Sequence, residues 1–154
     1  MRLRLAFCLA LISLPVLLTC LIVGFTGVLA QDSADIYVKV GGFRNNNGSC
    51  RALLFDSNKG FPDSPNEAVD VQSGVISGQT TSFTFKVKPG KYAVAILHDE
   101  NANGKMDKTW YGKPKEGFGA SNNPKVGSGP PGFEESAVLL DEKNNQITIT
   151  VNYL

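Results

Sequence analysis

Between Tyr92 and Asp107 the chain reads YAVAILHDENANGKMD, and this stretch limits the fold more than any other. In its first half Tyr92, Val94 and Ile96 face one side of a strand and Ala93, Ala95 and Leu97 the other. Both faces are apolar, so the strand needs cover on both sides and belongs at the centre of a sheet. In its second half Asp99, Asn101, Asn103 and Asp107 surround Gly104, the spacing of a calcium loop or of a tight turn that bonds to itself.

Set against a calcium-loop template, Asp99, Asn101 and Asn103 take the first, third and fifth positions, and Gly104 the sharp turn at the sixth. Lys105 offers a backbone carbonyl at the seventh and Asp107 falls at the ninth. The twelfth position calls for a bidentate Glu, and here it is Trp110. An ion would need Glu116, Asp63, another loop residue or water, and its affinity would be about 10⁻⁴ to 10⁻³ M, as in extracellular modules. That missing ligand puts a metal-free turn, with Asp and Asn capping backbone amides, ahead of the calcium site.

Ahead of any fold stand Arg2, Arg4 and an apolar run to Ala30, the pattern of a secretory signal with cleavage before Gln31. The run is also long enough for an uncleaved N-terminal anchor. Lipidation at Cys20 ranks third, since Leu17-Leu18-Thr19 lacks the small residue expected before such a cysteine. Cleavage leaves 124 of the 154 residues, enough for one domain at 31–154. The 15 Lys and Arg fall to 13 with the loss of Arg2 and Arg4, against 14 Asp and Glu, a net charge of −1. No basic run survives, so nucleic acid is not an expected partner. Cys50 is the one cysteine left, which excludes an intrachain disulfide. Export to the periplasm, the cell surface or the medium follows, with membrane attachment only if the N-terminal segment is retained.

Further strands are expected at Ile36–Val40, Cys50–Phe55, Ser82–Val87, Ser136–Leu140 and Gln146–Tyr153, with a weaker one in Ala68–Ile76. Asn47-Gly48 suggests a hairpin between the first two, and Pro89-Gly90 a second hairpin leading into Tyr92. Asp56–Glu67 reads as a loop pinned by Phe61. From Asp107 to Phe133 a long Gly- and Pro-rich interval holds Trp110, Tyr111 and Phe118, which favours an ordered loop folded over the sheet. No helical period of useful length appears. About seven short strands predict an all-β chain, an antiparallel β-sandwich of immunoglobulin-like or transthyretin-like arrangement, with a small barrel as the alternative.

The strand and loop above, together with ALLFDSNKGFPD (Ala52–Asp63), WYGKPKEGFGASNN and GPPGFEESA, resemble the bacterial family catalogued as domain of unknown function 2141. The similarity runs from about Ile36 to Tyr153. It implies an exported β-sandwich and carries no activity with it. One departure is Ala102, where the family more often has Gly.

His98 is the only histidine, and beside Asp99 and Glu100 it suggests a hydrolase, with Glu116 as a further carboxylate and Ser121 as nucleophile. Neighbours on a strand point to opposite faces, so His98 and Asp99 cannot orient one another, and a structural histidine is favoured. Trp110, Tyr111 and Phe118 suggest a platform for a sugar or peptide with Ser121, Asn122 and Asn123 as polar partners, although a satellite core under the loop is the commoner use of such residues. Lys113, Lys115 and Lys125 read as solvated surface. The expected role is a non-enzymatic envelope module that binds an envelope or extracellular ligand or serves structurally, with calcium as its one candidate cofactor. A hydrolase and a carbohydrate-binding module are the alternatives.

Overall fold

Period-two alternation decides which side of each strand is buried. In the structure, a computed structural model describing residues 33–127 and 129–154, β1 (Ala34–Gly41) turns Ile36, Val38 and Val40 inward and Tyr37 and Lys39 to solvent. β4 (Thr80–Val87) does the same with Phe83, Phe85 and Val87, and β8 (Gln146–Thr150) with Ile147 and Ile149. These three form one sheet in the order β4-β1-β8, antiparallel between β4 and β1 and parallel between β1 and β8. The expected leader and Cys20 lie outside the described residues.

The second sheet takes the order β3-β2-β5-β6, from β3 (Asp70–Gly74), β2 (Ser49–Phe55), β5 (Gly90–Asp99) and β6 (Gly117–Ala120). β7 (Val138–Leu140) pairs with the start of β5. Val94 and Ile96 of β5 join Phe85, Leu54 and Ile149 in the main core between the sheets. Ala93 and Ala95 face outward, yet Leu53, Phe55 and Phe133 bury them there in a second cluster. Phe61 pins the Asp56–Glu67 loop onto that cluster, its ring edge-on to Phe55 at 5.3 Å and to Phe133, on the short helix α1 (Phe133–Ser136), at 5.9 Å. The doubly apolar strand is thus central, and the eight strands make an all-β sandwich.

Neither expected hairpin forms. β1 pairs with β4 and β8, whereas β2 pairs with β3 and β5, so the Gly42–Gly48 connection crosses from one sheet to the other. The crossing carries Phe43 into the main core, although position 43 would face outward if the β1 alternation simply continued. Pro89-Gly90 likewise turns the chain from β4 in one sheet to β5 in the other.

A further difference lies within the long interval, which contains β6. Its sequence GFGA carries no apolar alternation because the C-terminal segment passes directly over it. A Cβ on Gly117 would stand 2.5 Å from the Tyr153 ring. Phe118 and Asn152 exchange backbone bonds of 3.0 and 2.7 Å, and Val151 N–H donates to Gly41 O at 2.8 Å. The chain end therefore leaves β1 and laces the two sheets together, bringing Tyr153 to the end of β5.

Candidate functional site

At that end of the sandwich β5 delivers His98 to the inner face and Asp99 to the outer one, both fully buried. The His98 ring sits edge-on to Phe43 at 5.1 Å. Its Nε2 lies 2.9 Å from Asn47 O and its Nδ1 2.7 Å from the Tyr153 hydroxyl. A carbonyl oxygen only accepts, which places a ring proton on Nε2; in the neutral ring Nδ1 then accepts from Tyr153. The Tyr153 oxygen in turn accepts from Arg44 N–H at 3.1 Å. The approach of Asn47 requires Gly48 (φ +65°), where any side chain would collide with Asp99 O.

Arg44 reaches back over this cluster. Its guanidinium grips Glu100 through two bonds, Nε to Oε1 at 2.6 Å and Nη2 to Oε2 at 3.0 Å, and lies 4.7 Å from the centre of the Tyr153 ring. The Arg44 bond holds the Glu100 carboxyl below its usual range, and burial raises the Tyr153 hydroxyl. Glu100 Oε1 is also 3.6 Å from His98 Nδ1.

The Asp99–Asp107 loop is closed by its own bonds. Asp99 Oδ1 accepts from Asn103 N–H at 3.0 Å and Oδ2 from Gly104 N–H at 2.7 Å. Asn101 Oδ1 accepts from Asn103 N–H, and Asn103 Oδ1 from Lys105 N–H. The Nδ2 groups of Asn101 and Asn103 donate to the two oxygens of Asp107 at 2.8 and 3.0 Å. All six side-chain oxygens of the expected calcium set thus carry an N–H. Lys105, whose carbonyl completes that set, lies exposed. Among the described residues no three His, Cys, Asp or Glu side chains converge as a metal-binding group. Arg51 donates to Gly104 O from the neighbouring strand.

Glu116, 4% exposed, ties the two ends of the loop together: Oε1 accepts from Glu100 N–H and Oε2 from Asp107 N–H, both at 2.9 Å. From this base a small hairpin, Lys108–Pro114, projects. Thr109 N–H donates to Lys113 O at 2.8 Å, the Thr109 hydroxyl accepts from Lys113 N–H at 2.9 Å, and Lys115 N–H returns to Asp107 O at 2.9 Å. Trp110 and Tyr111 form its tip, 96% and 61% exposed, with their rings edge-to-face at 5.2 Å.

The expected satellite core under the loop is therefore not there, because the hairpin bonds turn both rings outward. Nor do the other members of the aromatic platform join them. Phe118 is held in β6 opposite Leu97. Asn122 donates to Glu135 O at 2.9 Å, while Asn123 bonds Thr148 O and Thr150 N–H at 2.8 Å each, taking the place of a strand along the edge of β8. Ser121 is buried, accepting from Val94 N–H at 2.8 Å and donating to Ser136 O at 2.6 Å. Its partner Val94 lies four residue steps along β5 from His98, about 13 Å at ~3.3 Å per residue, so no triad assembles. Cys50 is fully buried, with its thiol pushed up to about 12.

Two residues of this cluster escaped the sequence reading. Tyr153 carried a usable signal, since Ile147, Ile149, Val151 and Tyr153 keep one parity and share the inner face. Arg44, one cation in a polar turn, carried none.

No curated protein and no solved structure matches the chain. A family model, described as an uncharacterized protein conserved in bacteria (DUF2141), matches residues 38–148, and the chain belongs to that family.

Proposed function

We propose that the chain is a non-enzymatic binding module of the bacterial cell envelope, exported by its N-terminal segment, with the Lys108–Pro114 hairpin as its binding element. The observation that carries this is Trp110, almost wholly exposed at the tip of a hairpin whose base is held by buried Glu116. Trp and Tyr are the side chains that most often dominate binding energy, and a rigid mount lowers the entropy lost on association.

The chemistry-bearing residues support the same conclusion from the other direction. His98, Asp99, Glu116 and Ser121 are buried with their polar atoms engaged, and among the described residues no buried side-chain nitrogen or oxygen lacks a partner. A hydrolase would need at least one of them free to meet substrate. The Asp99 loop is then the mount of the hairpin, and calcium binding is a separate property to be tested on it.

The test is retention of the purified protein on isolated bacterial envelopes, wild type against the Trp110→Ala/Tyr111→Ala variant. The variant should keep its melting temperature and lose retention. Equal retention would sink the proposal.

A further inference from the structure

We infer that the partner of this hairpin is an anionic bilayer surface, with Trp110 and Tyr111 seated at the headgroup level and the flanking lysines against lipid phosphates. The inference rests on the hairpin being the binding element. Lys105, Lys108, Lys113 and Lys115 flank Trp110 and Tyr111 in the sequence, all are exposed, and among the described residues none of them is in an ion pair. The one carboxylate in residues 105–115 is Asp107, already bonded by Asn101 and Asn103. Residues 105–115 therefore carry +3 while the rest of 31–154, buried Glu116 at the hairpin base included, carries −4.

Aromatic side chains prefer the boundary between headgroups and hydrocarbon, and lysines near an anionic surface add electrostatic attraction. An exposed Trp and Tyr flanked by exposed lysines meets both demands. A glycan asks for something else: a flat ring face bordered by directed polar groups. The Trp110 and Tyr111 rings stand 85° apart, and the side-chain amides of Asn122 and Asn123 donate to Glu135 O and Thr148 O. Among the described residues no helix is long and apolar enough to cross a membrane, and docking at the interface requires none.

Trp110 is the sole tryptophan, so its emission reports the tip alone even in the full chain with residues 1–30 present. The full chain is mixed with vesicles of phosphatidylcholine, or of phosphatidylcholine and phosphatidylglycerol at three to one, at low salt. The mixed vesicles should shift the emission to the blue, and lipid brominated on its acyl chains should quench it. Phosphatidylcholine alone and inorganic phosphate should do neither. At about fivefold per lysine, Lys108→Gln/Lys113→Gln/Lys115→Gln should weaken partitioning by about 100-fold, and 1 M NaCl should act in the same direction. Emission unchanged by mixed vesicles, or equally shifted by phosphatidylcholine alone, overturns the inference. If soluble glycans shift it and vesicles do not, the bilayer is excluded while the hairpin remains the binding element. If in addition Trp110→Ala/Tyr111→Ala leaves envelope retention intact, both fall.

Discussion

Replacing Glu116 by Gln probes the mount with the least change of shape. The wild-type carboxylate accepts two backbone N–H groups in a site almost closed to water. Bonds from an amide to a charged acceptor contribute about 1.5–3 kcal/mol each. Gln keeps one acceptor and turns the other into an NH₂ group facing an N–H donor, so one bond is lost and two buried donors, the backbone N–H and the new NH₂, are left facing each other unpaired. The expected cost is about 2–3 kcal/mol, and about 3–5 kcal/mol for Glu116→Ala, which leaves both amides without a partner. Urea unfolding should show the midpoint falling at constant m-value. Hydrogen exchange should locate the loss at the Glu100 and Asp107 amides. A variant within about 0.5 kcal/mol of wild type, or one destabilised with those two amides still protected, would refute the reasoning.

Ala102 sits in the left-handed region at φ +58°, so Ala102→Gly should raise stability by about 0.5–1 kcal/mol in the same unfolding assay. Tyr153→Phe removes the hydroxyl that serves His98 Nδ1 and Arg44 N–H, and should cost about 1–3 kcal/mol by thermal unfolding. Glu100 supplies a pH dependence. Its folded pKa lies below the ordinary 4.5, so its contribution is complete above about that pH and is lost as pH falls through the folded value. Melting temperature measured from pH 6 downward should therefore decline, and Arg44→Gln should flatten the decline, since Arg44 is the main cause of the shift.

Much of the sandwich was legible because burial follows parity. The inner faces of β1, β4, β5 and β8 can be read directly from Ile36, Phe85, Val94 and Ile149 and their alternate neighbours. Strand pairing could not be read that way: Asn47-Gly48 and Pro89-Gly90 are equally good residues for a hairpin and for an arch between sheets, and the pairing partners of β1, β2, β4 and β5 are a tertiary fact. β6 was invisible for a related reason, its glycines being required by the passage of Tyr153 and carrying no periodic signal. The Asp99 loop was legible as a self-bonded turn from its alternating oxygens. Its attachment through Glu116, nine residues beyond Asp107, was not, since nothing local marks a carboxylate that will serve two distant amides. Trp110 shows the limit most plainly, because its exposure depends on the hydrogen-bonded Lys108–Pro114 hairpin, which the sequence presents as an unpatterned stretch.

The most direct test of whether Asp99, Asn101, Asn103 and Asp107 build a self-sufficient mount is thermal unfolding after EDTA treatment, repeated across a calcium titration with magnesium as control. An ion bound to the native state adds RT ln(1 + [L]/Kd), about 2.7 kcal/mol at 100 Kd. With the loop oxygens held by its own N–H groups, the melting curve should not move up to 10 mM calcium, about 100 Kd for a site of ~10⁻⁴ M. A calcium-specific rise that disappears in Asp99→Asn would contradict this and make the loop a metal site.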